Sequence, residues 1–149
     1  MYKRQDLSYG RTLERKFVAD PQNPDDAWDY LTLWGTPKWK GTVRTGWSNP
    51  KLSVYWTLRH VSKMRGSNTS TASYEREWAG NTFYSDFYAS YQVTPKFSVF
   101  GGLNNAFDRA PPRVPGAEAG GAGFNQSGYQ AAVYDVLGRT FNVGLRMKL

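Results

Sequence analysis

The sequence of 149 residues contains no cysteine and a single histidine, His60. Without thiols there are no disulfides, thiolate metal sites or cysteine nucleophiles, and one imidazole leaves little from which to build a catalytic triad or a histidine-rich metal centre. No stretch approaches the length of a transmembrane helix, roughly 18 consecutive apolar residues. The mean hydropathy of −0.64 looks like that of a water-soluble chain. It does not separate one from a membrane β-barrel, whose strands alternate lipid-facing apolar and lumen-facing polar residues. An apolar signal segment is also missing, since Met1-Tyr2-Lys3-Arg4-Gln5-Asp6 is followed by Glu14 and Asp20. An exported protein needs one, so the chain is expected to begin inside a longer reading frame.

With 40% hydrophobic and 21% charged residues the composition lies outside the disordered class, and the length suits one domain. The aromatic content of 16%, with 6 Trp, 10 Tyr and 8 Phe, exceeds what a small core absorbs, which places many rings at a surface or interface. A net charge of +7 and a pI near 9.7 suit phosphate-bearing partners, either anionic lipid headgroups or nucleic acid.

Apolar residues recur two apart rather than three or four, and Gly and Pro punctuate the chain, so the periodicity predicts strands. In residues 140–149, Phe141, Val143, Leu145, Met147 and Leu149 alternate with Asn142, Gly144, Arg146 and Lys148. Residues 52–59 set Leu52, Val54, Trp56 and Leu58 against Ser53, Tyr55, Thr57 and Arg59. Residues 81–92 put Phe83, Phe87, Ala89 and Tyr91 opposite Thr82, Tyr84, Asp86, Tyr88, Ser90 and Gln92. Residues 39–47 and 97–104 alternate less strictly, interrupted by Gly41, Gly46, Gly101 and Gly102.

The connectors alternate in length. Ser48-Asn49-Pro50-Lys51 and Thr94-Pro95-Lys96 are short turns, whereas residues 65–80 and 105–138 are long and polar, the second rich in Pro and Gly. Strands of about 9 to 11 residues joined alternately by short turns and long loops match an outer-membrane barrel, with the long loops outside the cell.

Two motifs sharpen this. Asn142-Val143-Gly144-Leu145-Arg146-Met147-Lys148-Leu149 fits polar, any, Gly, any, any, apolar, any, apolar. It resembles the signal by which outer-membrane barrels present their last strand to the assembly machinery, carried here by Asn142, Gly144, Met147 and Leu149, with Leu149 where an aromatic residue is usual. The stretch from Phe97-Ser98-Val99-Phe100 through Asn104-Asn105-Ala106-Phe107-Asp108-Arg109 to Pro111-Pro112 resembles the penultimate strand and turn of TonB-dependent receptors, with Ala106 in place of Leu. Tyr134-Asp135-Val136-Leu137-Gly138-Arg139-Thr140-Phe141 is similar to that family's approach to its final strand, and the two matches occur in the family's order. Softer matches are Gly35-Thr36-Pro37-Lys38 and Leu58-Arg59-His60-Val61-Ser62.

The resemblance covers about residues 35–149 and implies the C-terminal sector of a plugged barrel in the Gram-negative outer membrane. It implies energy-coupled uptake of an iron chelate, cobalamin or glycan. The partners it implies are outer-membrane lipid, the barrel-assembly machinery, the plug and other strands of the receptor, and TonB through an N-terminal part not recognisable here. A nucleic-acid partner is not implied.

The remaining candidates read more plainly as scaffold. His60 is expected to be an interfacial strand residue, and Asp25, Asp26, Asp29, Glu75 and Glu77 solvated loop charges, so no catalytic, metal or cofactor site is expected. The glycines at 120, 121 and 123 lack the Lys-Ser/Thr of a phosphate loop. Trp28, Tyr30, Trp34, Trp39, Trp47, Tyr74, Trp78, Phe83 and Tyr84 cluster near strand ends, as girdle residues would. Arg44, Arg59, Arg146 and Lys148 fall on lumen positions. Residues Tyr74, Trp78, Arg113, Phe124 and Tyr129 are the candidates for contact with a ligand from the long loops.

The expectation is therefore an all-β, antiparallel up-and-down meander of about five transmembrane strands, part of a larger outer-membrane barrel. Residues 39–149 would supply the strands and residues 1–38 a loop-rich segment. Its rivals are a porin or adhesin barrel fragment and a soluble basic β domain that binds glycan or nucleic acid.

Overall fold

A computed structural model describes residues 1–18, 20–25, 27–33, 35–65, 78–112 and 132–148, without the side chain of Trp28. Six strands form one antiparallel sheet: β1 (Tyr2–Arg11), β4 (Trp39–Ser48), β5 (Leu52–Val61), β8 (Thr82–Thr94), β9 (Phe97–Asn104) and β10 (Thr140–Met147), hydrogen-bonded in that order. Two short ribbons accompany it, β2 (Lys16–Val18) with β3 (Ala27–Asp29), and β6 (Met64–Arg65) with β7 (Trp78–Ala79). Each main strand pairs with its chain neighbour in the sheet, the up-and-down order expected.

The strand count differs from the expected five because β1 occupies part of the segment read as loop-rich. All ten of its residues are exposed, yet each pairs with β4, from Tyr2↔Ser48 to Arg11↔Trp39. Its apolar side carries only Leu7 and Tyr9, so no alternation announces it, and the backbone ladder to a neighbouring strand makes it a strand.

Both short turns have identifiable chemistry. Asn49 N–H donates to Leu52 O at 2.8 Å, while the Asn49 Oδ1 accepts from Lys51 N and Leu52 N at 2.9 and 2.7 Å. This is an Asx turn in which Pro50 presets φ. In the second turn Gln92 Nε2 donates to Thr94 O at 2.6 Å, and the ladder shifts register between Gln92 and Thr94, so Val93 bulges out.

Register separates the sheet into two faces. One row runs Thr45, Trp56, Phe87, Leu103, Phe141 and another Trp47, Val54, Ala89, Gly101, Val143. The opposite face carries Arg44, Thr57 and Asp86 in one row and Gly46, Tyr55, Tyr88, Gly102 and Asn142 in another. The apolar face is the uncovered one: Phe141 is 83% exposed, Val143 74% and Leu145 66%. The small core lies instead over the polar face, at the end reached by the long connections. There Val61, Met64, Ala79, Tyr84 and Tyr134 pack together with Val133 against them. A sheet with bare apolar side chains and a covered polar side is the inverse of a soluble domain.

Candidate functional site

On the polar face, at the long-connection end, one arginine gathers two acids from distant parts of the chain. Arg59 on β5 donates through Nε and Nη2 to Asp86 on β8 at 2.6 and 2.9 Å, and through Nη2 to Asp135 at 3.2 Å. Asp86 is its cross-sheet neighbour one diagonal away, since Thr57 pairs Asp86. Asp135 lies 76 residues along the chain. The guanidinium also sits 5.0 Å from the centre of the Tyr84 ring, and the Tyr84 hydroxyl accepts from Asp135 N at 3.3 Å. The fork geometry makes these charge-assisted bonds directional. With Arg59 about a third exposed, solvent screening limits the set to about 1 to 2 kcal/mol.

Asp86 has a second task. Its Oδ1 accepts from the main-chain N of Asn105 at 2.8 Å, at the start of the Asn-Ala-Phe-Asp-Arg turn. Asn105 is wholly buried, with a left-handed φ of 47°. Its Nδ2 donates to Arg109 O at 3.0 Å and its Oδ1 accepts from Arg109 N at 2.8 Å, closing the turn on itself. Asn tolerates this backbone region better than other residues with a Cβ, and only an amide both donates and accepts here. Asp108, also left-handed at 51°, accepts from Arg139 N through Oδ1 at 2.8 Å and so fixes the approach to β10. At Gly138, with φ of 72°, a Cβ would come within 2.9 Å of that same carboxylate oxygen. The motif is thus a clamp that joins the end of β9 to the start of β10. Phe107 is left on the apolar side, 6.4 Å edge-on from Phe87.

Tyr134 roofs this network from the core. Burial, and then the neighbouring Tyr84, push its phenol above the ordinary tyrosine range, and its hydroxyl has no hydrogen-bond partner among the described residues. Lower on the same face Arg44 lies 4.3 Å over Tyr55, Tyr55 lies 6.2 Å from Tyr88, Tyr88 6.3 Å from Phe100, and Arg146 caps Phe100 at 5.6 Å. Glycines make room for these rings: a Cβ at Gly46 would fall into the Tyr55 ring and one at Gly144 into the Phe100 ring. Among the described residues no group of three His, Asp or Glu side chains could hold a metal ion.

No protein-family model matches the chain, and no curated protein does. Among solved structures, two variants of the ferric enterobactin receptor PfeA of Pseudomonas aeruginosa superpose with a TM-score of 0.53 each, at 20% and 23% identity, over 74% of this chain and 16% of theirs. The ferric-catecholate import receptor Fiu of E. coli K12 gives a TM-score of 0.50 at 18% identity, over 75% of this chain and 14% of its own. The fold is that of a TonB-dependent receptor barrel wall. It is a fold of the Gram-negative outer membrane, and the chain spans only a small part of the length of these receptors.

Of the residues expected to form an assembly signal, Asn142, Gly144 and Met147 lie on β10, whose outer edge has no neighbour among the described residues; Leu149 lies outside the described residues. Of the residues expected to meet a ligand, Trp78 sits on β7 opposite Arg65, with Lys63 Nζ and the Arg65 guanidinium 4.8 and 5.3 Å from its ring. Tyr74, Arg113, Phe124 and Tyr129 lie outside the described residues, as do Trp34, Asp26, Glu75 and Glu77. Trp39, Trp47 and Phe83 hold strand-end positions as a girdle requires, but Tyr84 points to the polar face and is buried in the core. His60 is on the apolar face, stacked 4.7 Å from Phe83. The acids that partner Arg59 were not anticipated. The available signal was Asp86 at a polar position of the following strand, and nothing local marked Asp135.

Proposed function

We propose that the chain is the C-terminal wall of a TonB-dependent outer-membrane receptor that takes up a bulky nutrient, with a ferric chelate ahead of cobalamin or a glycan. The observation that carries the reading is the inverted sheet. Its apolar side is bare between two levels of aromatic residues, and its polar side holds a paired-charge network under the ends of the long connections. The named cargo of PfeA and Fiu supports the ferric chelate. The wall's own share is structural: it closes part of the lumen, anchors two long loops through the Arg59 and Asn105 clusters, and presents β10 for assembly. The remaining strands, the plug and TonB are the partners this role requires. It performs no chemistry on the nutrient.

The test is uptake. The complete reading frame is expressed in a host lacking its catecholate receptors, and radiolabelled ferric enterobactin is followed with TonB intact and deleted. Accumulation that needs TonB is expected. An inserted protein that passes solutes equally well without TonB would be a porin, and one recovered only from the cytoplasm would refute the barrel reading.

A further inference from the structure

Charge is distributed unevenly along the strands. The short-turn end of the sheet, residues 1–5, 46–54, 88–99 and 144–148, contains Lys3, Arg4, Lys51, Lys96, Arg146 and Lys148 and no acid. The acid nearest to it in register is Asp6, and Arg4 takes it at 3.0 Å. The other ion pairs among the described residues are made by Lys16 and Arg59, away from this end, so its remaining cations have no ion-pair partner among the described residues. The turns hold the lysines in place. Asn49 Oδ1 accepts from Lys51 N at 2.9 Å, and Thr94 Oγ1 accepts from Lys96 N at 3.3 Å. Lys51 O accepts from Gln92 N at 2.7 Å, and Lys96 O from Lys148 N at 2.8 Å. Lys51, Lys96 and Lys148 are thereby set along one rim, each exposed to solvent.

We propose that this rim docks the wall on peptidoglycan, the carboxylate-bearing polymer of the periplasm, through Lys51, Lys96, Arg146 and Lys148. The inference rests on the barrel reading, which turns the short connections toward the periplasm, and adds a partner beneath the membrane. Position separates such a polymer from lipid headgroups. Arg146 pairs with Ser98 on the polar face and Lys148 follows it two residues on, so both are turned away from lipid. Lys51 and Lys96 lie one residue nearer the turn tips than Leu52 and Phe97, where the apolar face ends. Composition separates it from a folded protein. Gln92 and Ser98 are the polar-side residues between Lys51 and Arg146, and neither is the aromatic or aliphatic anchor on which a protein interface centres. Hydrated ammonium groups spaced along a rim suit many weak contacts to a repeating polyanion, where avidity supplies the affinity.

The protein in its complete reading frame, purified in a nonionic detergent, is sedimented with purified peptidoglycan sacculi whose free carboxylates are left intact or amidated. Co-sedimentation with intact sacculi is expected at low salt, and its loss near roughly 0.5 M, where exposed charges are screened. Each exposed charge contact is worth about a factor of two, so Lys51→Gln with Lys96→Gln and Lys148→Gln is expected to weaken retention about tenfold. Lys38→Gln with Lys40→Gln and Lys63→Gln, an equal loss of charge at the opposite end, is expected to leave it unchanged. Equal retention on amidated sacculi overturns the carboxylate assignment, and equal loss in the two triple variants overturns the rim. Retention by phosphatidylglycerol vesicles but not by sacculi would give the rim to lipid headgroups and overturn the proposal. The barrel reading is tested separately: Pro95→Cys is expected to react with an impermeant thiol reagent only after the outer membrane is permeabilised. Labelling on intact cells would invert the barrel, whatever the sacculi show.

Discussion

Asn105 offers the sharpest test of how the barrel wall is held together, because three substitutions at one position remove different things. Asn105→Gly deletes both bonds to the Arg109 main chain but suits a φ of 47°. Each such bond contributes about 1 kcal/mol net, so a loss of about 2 kcal/mol is expected. Asn105→Ala loses the same bonds and adds roughly 1 kcal/mol for a Cβ in the left-handed region. Asn105→Asp is nearly isosteric and keeps the acceptor for Arg109 N. It loses the donor to Arg109 O and puts a second carboxylate against Asp86, in a position with no exposed surface. An uncompensated buried charge costs about 3 to 5 kcal/mol, only partly offset by Arg59.

The expected order of stability is therefore wild type, Gly, Ala, Asp. It is measured as urea midpoints and slopes of the protein folded in vesicles, followed by tryptophan fluorescence. The Asp variant carries its own control. Burial and the neighbouring carboxylate raise the folded pKa of its new acid, so that the variant regains ground on wild type as pH falls toward about 5 and the acid becomes a donor. If Gly and Ala variants unfold together, the left-handed backbone carries no penalty. If the Asp variant matches wild type at neutral pH, the hydrogen-bond assignment at Asn105 is wrong.

Trp56→Arg is expected to destabilise the bilayer-folded protein by about 2 to 4 kcal/mol and Thr57→Arg by far less, since only Trp56 lies on the apolar face; equal effects in vesicle unfolding would reverse the faces. Tyr134→Phe removes a buried hydroxyl that has no partner among the described residues, so it is expected to be neutral or to stabilise by up to about 1 kcal/mol. Because burial raises the Tyr134 pKa, wild type holds this residue's share of stability below about pH 10 and loses it as pH climbs toward the raised value. The Phe variant should lack that part of the alkaline decline, and identical alkaline titrations would contradict the burial. Gly144→Ala is expected to lower the folded yield by crowding Phe100, and Phe100→Leu to restore it; an unrestored double variant would mean that the glycine is read directly during assembly.

The fold was legible where a strand's own side chains alternate. The ends of β5 and β10 were bounded within a few residues because their two faces differ in chemistry at nearly every step, and Phe97–Asn104 was bounded to the residue although Gly101 and Gly102 interrupt its alternation. The same reasoning was blind to β1, where Lys3, Gln5 and Arg11 share a face with Leu7 and Tyr9. Short ribbons such as β6 with β7 were equally hidden, since two-residue strands have no period to read. The turns were legible through Asn49, Pro50 and Pro95, whose effects on the backbone are local.

The charge network was not legible, and the reason is physical. Arg59, Asp86 and Asp135 meet only after β5 and β8 have fixed their register and the last long connection has returned to the sheet, and no window of sequence contains that outcome. What did carry across was the Asn-Ala-Phe-Asp-Arg motif, which resists explanation as a mere turn because its demands are not those of a turn alone. Asp86 ties Arg59 and Asn105 together, and Asp108 reaches forward to Arg139. The motif is therefore held from two sides, Asn105, Ala106 and Phe107 by β8 and Asp108 by the approach to β10. A short stretch so constrained carries more information about the assembled sheet than ten alternating residues, whose pattern any two-faced strand would satisfy.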